Sequence, residues 1–208
     1  MKIDIAILKS LQHQIEQSNQ KAFEGMYRLF FPRLYNFALL YVHKKEVAEE
    51  LVNDIMVKVW EKRATLHTIE NIETYLFTAV RNHSLNYLRK FSHYHIVLEE
   101  EQGLAEVISL NNPEKALEWK EINYKLNLAI EQLPTQCRTV FKLIKEDGLS
   151  YKQVAEILGL SPRTVETQLF RAIKKLSLSL DGFLEKRVSK KSTRNPLSTI
   201  LLLIAIHG

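Results

Sequence analysis

A chain of 208 residues with a formal net charge of +5 has room for one ordinary domain or two small ones, not for a large multidomain enzyme. Apolar residues at 46% and charged residues at 25% exclude global disorder, while only six glycines and five prolines argue for long helices and against a sandwich or barrel. One cysteine excludes an internal disulfide framework and a multi-cysteine metal site.

The opening, Met1 to Asn19, lacks the basic start and unbroken apolar core of a secretion signal, so a soluble cytoplasmic protein is expected. Residues 20–92 hold eleven basic and eight acidic groups and 93–127 hold three and seven. Residues 128–182 hold eight and six, and 183–208 hold five and one. Two mildly basic blocks flank an acidic stretch, which suggests two modules and a linker.

Between Asn19 and Val42, Phe23, Met26, Tyr27, Phe30, Leu34, Phe37 and Tyr41 recur at helical spacing. Pro32 should bend this run or split it into two helices. A second helix is expected from Lys44 to Arg63, with Val47, Leu51, Ile55 and Val59 on one stripe, widened by Ala48, Val52, Met56 and Trp60. Its other face carries Glu50, Asn53, Asp54, Val57 and Glu61. A third runs from Asn71 to Lys90, turning Leu76, Val80, His83 and Tyr87 inward, with Phe77, Ser84 and Leu88 beside them. Thr78, Asn82, Asn86 and Arg89 face outward, with Arg81 and Lys90 near the edge.

Periodicity fades from Phe91 to Asn112, where Glu99, Glu100, Glu101 and Gly103 mark a flexible acidic linker. Pro113 suits the first turn of a helix reaching about Gln132, and Pro134 opens the next. Ser150 and Gln153 then form a capping-box pair that starts a helix at Tyr151. Gly159 ends that helix, and Ser161 with Pro162 begins another about three residues later. Ala155, Gly159 and Val165 supply a small residue for close approach, a turn glycine and a β-branched wedge. Together these are the needs of a helix-turn-helix.

On the helix after Pro162, Val165, Leu169, Ala172, Ile173 and Leu176 form the inward stripe. Arg163, Thr164, Thr167, Phe170, Arg171 and Lys174 lie outside it. Arg171 can fork onto guanine, Thr167 can bond a base edge or phosphate, and Phe170 can meet a thymine methyl. Lys174 and Lys175 suit phosphate. A solvated face would also carry Lys and Arg, but an outward Phe beside Arg is harder to explain without a partner.

The two modules resemble an extracytoplasmic-function sigma factor of the sigma-70 family. The stretch from Glu50 to Trp60 resembles the family's core-binding helix, and Tyr75 to Lys90 looks like the segment that reads the minus-ten element. Leu133 to Phe141, then Gly148 to Tyr151 and the helix-turn-helix, is similar to region four. The Gln136-Cys137-Arg138 variant looks closest to the Bacteroidetes branch. Glu166 departs from the basic residue that many relatives carry.

The resemblance implies an all-α fold of two small helical domains joined by a flexible acidic linker. Residues 1–92 would form region 2, 93–127 the linker and 128–182 region 4, with a basic then apolar tail at 183–208. It implies a non-enzyme that binds RNA polymerase core at the clamp coiled coil through Glu50, Asn53, Asp54 and Val57. Arg81, Asn82, Asn86, Arg89 and Lys90 would meet the minus-ten DNA. Arg163, Thr164, Thr167, Phe170, Arg171, Lys174 and Lys175 would meet the minus-thirty-five DNA. Promoter DNA and an anti-sigma factor complete the implied partners, with no small-molecule substrate. The rival reading is a stand-alone helix-turn-helix regulator, which leaves the first module idle.

No cofactor or metal is expected. His93 and His95 lack a third ligand, His83 reads as a packed core histidine, and Cys137 reads as a buried structural thiol. The apolar run Ile200 to Ile206 is far short of the roughly 20 residues that span a bilayer.

Overall fold

The computed structural model describes residues 3–91 and 123–188, with side chains as far as Ser179. Every regular element among the described residues is helical. The expected acidic stretch from Glu99 to Glu101, the histidines His93 and His95, and the apolar tail lie outside them.

The first module begins with α1 (Ile5–Glu16), a helix that sequence reading did not assign. Asp4 caps it by accepting from the Ala6 amide at 2.9 Å. Leu8 and Ile15 are buried along its inner side. Between them Gln12 is also buried, and its Nε2 donates to the carbonyls of Leu66 at 3.1 Å and Ile69 at 3.0 Å. A buried amide is costly unless bonded. Here it is satisfied by the short 3₁₀ turn at Arg63–Thr68, which α1 thereby fixes in place.

Helix α2 (Gln20–Val42) is capped by Asn19, whose side chain accepts from the Ala22 amide at 3.2 Å. Pro32 lies inside it and does not divide it, contrary to one of the two outcomes expected of it. Pro32 is exposed, as is Arg28, whose carbonyl loses its helical donor. Both halves are anchored by buried Met26, Phe30, Leu34 and Phe37. Stacked rings of Tyr27, Phe31 and Tyr35 also bridge the proline, with centroids 5.0 and 5.9 Å apart.

Helix α3 (Lys45–Glu61) buries Ala48, Val52, Ile55, Met56 and Val59 of the expected stripe, while Val47, Leu51 and Trp60 are only half-buried. Helix α4 (Ile72–Phe91) is capped by Asn71, which accepts from the Thr74 amide at 3.0 Å. It buries Ile72, Leu76, Phe77, Val80 and Ser84, packing against α2 and α3. No residue beyond Ser84 is buried in this helix, so its last turns run past the core. Leu88, expected inward, is therefore 38% exposed, and His83 is half-buried rather than a core histidine.

In the second module residues 123–131 form α5, followed by α6 (Thr135–Lys145), α7 (Tyr151–Leu158) and α8 (Pro162–Val188). Leu126, Ile130, Val140, Phe141, Leu143, Val154, Ile157, Val165, Leu169 and Leu176 make their shared core. The modules touch: α7 packs on α4, and α6 approaches α2.

Candidate nucleic-acid and partner interfaces

The turn between α7 and α8 is built as its sequence requires. Ser150 Oγ accepts from the Gln153 amide at 3.3 Å, and Gln153 Oε1 accepts from the Ser150 amide at 3.0 Å, closing the capping box. Gly159 adopts φ +64°, a left-handed conformation that disfavours any Cβ. The Leu160 amide then reaches back to the Ala155 carbonyl at 2.9 Å. Ser161 restarts the chain by accepting from the Thr164 amide at 3.0 Å. Ala155 and Val165 are 5% and 0% exposed, so the small residue and the wedge are both buried where α7 packs on α8.

The outer face of α8 is open to solvent. Arg163, Thr167, Arg171, Lys174 and Lys175 are exposed, and Phe170 is 68% exposed. Thr164 differs: it is half-buried, and its hydroxyl lies 2.8 Å from Ser161 Oγ, so it serves the cap before it can serve DNA. The Thr167 hydroxyl donates to the Arg163 carbonyl at 2.9 Å, leaving its lone pairs outward as acceptors. Gln168 turns the other way. It accepts from Cys137 Sγ at 3.0 Å and donates to Gln136 Oε1 at 2.9 Å, tying α6 to α8. Cys137 is thus a buried structural thiol, as expected.

On α3, Glu50, Asp54 and Val57 are exposed, Val57 by 55%. Asn53 is half-buried, and its Oδ1 accepts from the Tyr27 hydroxyl at 2.8 Å. That bond occupies the amide oxygen and holds the side chain in place. An apolar residue among polar neighbours suits a transient protein contact.

On α4, Asn82, Asn86, Arg89 and Lys90 are exposed. Arg89 Nη2 bonds Asn86 Oδ1, pairing two of the expected DNA contacts on successive turns. Arg81 is half-buried and hydrogen-bonded to Tyr41, whose phenol burial pushes up while Arg81 opposes. His83 bridges the two faces electrostatically. Burial lowers its pKa, Lys58 lowers it further, and Asp54 raises it.

Sequence reasoning missed one polar cluster: Arg33, Glu73, Asp147 and Gln153 meet between the modules. Their sequence separation leaves no local signal. Among the described residues no group of three or more His, Cys, Asp or Glu is placed to hold a metal ion. No helix among them is long and apolar enough to cross a membrane.

Comparison with known proteins gives two family matches in chain order. Residues 26–93 match sigma-70 region 2 and residues 124–176 match sigma-70 region 4, together more than half the chain. The RNA polymerase sigma factor YlaC of Bacillus subtilis (strain 168) is 28% identical over 155 residues, covering 74% of this chain and 89% of that protein. The ECF RNA polymerase sigma-E factor of Escherichia coli (strain K12) is 25% identical over 169 residues, covering 78% and 88%. The solved structure of the sigma factor RpoE in complex with the anti-sigma factor NepR from Bartonella quintana superposes with a TM-score of 0.59 at 26% identity. It covers 77% of this chain and 98% of that one.

Proposed function

Since the chain belongs to the sigma-70 family and directs transcription initiation as an alternative sigma factor of the extracytoplasmic-function group, we propose how its surfaces divide that work. The α3 face of Glu50, Asn53, Asp54 and Val57 docks on RNA polymerase core, at the clamp coiled coil. The α4 face of Arg81, Asn82, Asn86, Arg89 and Lys90 captures the minus-ten element as the duplex opens. Bonds to an extruded base offset an unstacking cost of about a few kcal/mol. The α8 face of Arg163, Thr167, Phe170, Arg171, Lys174 and Lys175 enters the major groove at the minus-thirty-five element, with Thr164 at its N-terminal edge.

The observation that carries the reading is Phe170, 68% exposed among cations on a helix that buries Val165, Leu169, Ala172 and Leu176 on its other side. A solvent-facing aromatic in that setting suits a thymine methyl. The match of residues 26–93 to region 2 disfavours the stand-alone regulator, because it gives the first module a role of its own.

Residues 1–92, 93–127 and 128–182 then serve as region 2, linker and region 4. Gln136-Cys137-Arg138 supports a Bacteroidetes-type subclass. The chain acts in the cytoplasm, with no small-molecule substrate, and an anti-sigma factor holds it in check. That last point is supported by the NepR complex of its structural relative. Gel filtration of the chain with purified core polymerase tests the α3 assignment. Co-elution is expected, weakened by Asp54→Ala, and no co-elution of the unaltered chain refutes it.

A further inference from the structure

Asn53 lies on α3 between exposed Glu50, Asp54 and Val57, but it is held from α2. The Tyr27 hydroxyl donates to Asn53 Oδ1 at 2.8 Å, and both residues are half-buried. Asn53 makes no other side-chain hydrogen bond among the described residues. Tyr27 is constrained at its other end as well. Its ring stacks on Phe31, with centroids 5.0 Å apart and planes 22° apart, and Phe31 stacks on Tyr35 at 5.9 Å and 14°. The phenol is therefore fixed by its ring and aimed by its hydroxyl.

The direction of the bond matters. Burial raises the Tyr27 pKa, and the Glu49 carboxylate, one turn before Asn53, raises it further. The phenol keeps its proton and remains the donor. A side-chain amide carries two N–H donors on one branch and an acceptor oxygen on the other, and a half-turn exchanges them. Without a partner, both orientations are open, because the last torsion of asparagine is broad and roughly two-fold. With its oxygen turned to Tyr27, the amide has its two N–H donors left to offer. A group already held in its bound orientation loses less freedom on association.

Holding the helices together does not need this bond. Helix α2 packs on α3 through the core, and the rings of Phe23 and Trp60 also join them at 5.0 Å. A hydroxyl that served packing alone would have no reason to meet the one amide of the α3 face.

Resting on the reading that this face docks on core polymerase, we propose that Tyr27 is a positioning residue for docking: it orients Asn53 so that the amide presents its N–H donors to an acceptor oxygen on the core. Tyr27 itself need not touch the polymerase. Its contribution passes through Asn53, which separates it from a residue that merely supports the fold.

The test measures binding of the full chain to immobilised purified core polymerase by surface plasmon resonance, with thermal melting by circular dichroism as the check on folding. Tyr27→Phe keeps the stacked ring and removes only the hydroxyl. It should melt close to the unaltered chain and bind core several-fold more weakly. Asn53→Ala should also weaken binding, and adding Tyr27→Phe to it should cost nothing more. Asn53→Asp can still accept from Tyr27 but has no donor to offer, so it too should bind several-fold more weakly while remaining folded. Undiminished binding by folded Tyr27→Phe, with Asn53→Ala weakened, sinks the positioning role and leaves the docking reading standing. An equal loss from Tyr27→Phe with and without Asn53→Ala also overturns it, since the effect would not pass through Asn53. Undiminished binding by Asn53→Asp overturns the donor orientation. Failure of the unaltered chain to bind core, or no effect of Asn53→Ala, refutes the docking reading and the positioning role with it.

Discussion

Replacing Arg171 with alanine removes a guanidinium that lies wholly on the outer side of α8. Its neighbours on the inner side, Leu169 and Ala172, are 5% and 0% exposed, whereas Arg171 itself is exposed. No core packing is lost, so thermal stability should move by no more than about 0.5 kcal/mol. Binding should move more. A bidentate arginine on guanine is worth about 1–3 kcal/mol, and about 1.4 kcal/mol is tenfold in affinity. Arg171→Ala should therefore weaken binding to a minus-thirty-five duplex by about 5- to 150-fold, with the loss concentrated at one base pair. Lys175→Ala provides the contrast. A phosphate contact should weaken binding to all sequences alike and lower the salt slope by about 0.9. Fluorescence anisotropy against a panel of single-base variants at several salt concentrations reads both effects. Equal loss on every sequence after Arg171→Ala would show that it meets backbone only, and no loss at all would remove it from the interface.

Three further outcomes follow from the geometry. Asp54→Ala should weaken association with core polymerase in gel filtration while leaving minus-thirty-five duplex binding unchanged, because Asp54 is exposed on α3, outside the second module. Gly159→Ala forces a Cβ into φ +64° and should destabilise the chain by about 1–2 kcal/mol, read by denaturant unfolding. His83 has its folded pKa lowered beneath the ordinary 6.5, first by burial and then by Lys58. The unfolded chain then binds the proton more readily, so this contribution to stability is full above pH 6.5 and is lost as pH falls below it. His83→Gln should flatten that part of the pH–stability curve, and an unchanged curve would remove His83 as its source.

The second module was legible because its signals are local. Ser150, Gln153, Gly159, Ser161 and Pro162 each act on backbone within a few residues, and each appears where the spacing put it. The inward stripe of α8 was legible for the same reason, since a helical period needs no knowledge of its partner. What escaped is what depends on distant residues. Gln12 makes sense only beside the carbonyls of Leu66 and Ile69. Pro32 could be tolerated because buried residues on both sides hold α2 to the rest of its module. Leu88 fits the periodicity of α4, but the core ends one turn earlier. Thr164 faces outward by angle, yet the cap claims its hydroxyl. Asn53 reads from its spacing as a surface residue, and only the fold reveals Tyr27 holding it. Arg33 and Asp147 stand 114 residues apart, and no pattern in the chain pairs them.

The most direct test of the whole account is run-off transcription from host genomic fragments by purified core polymerase with and without this chain. Start sites should appear only when the chain is present, and should fade when Asp54→Ala or Arg171→Ala replaces it. A chain that adds no start site to core, on any fragment, would contradict the assignment of its two helical modules to one initiation factor.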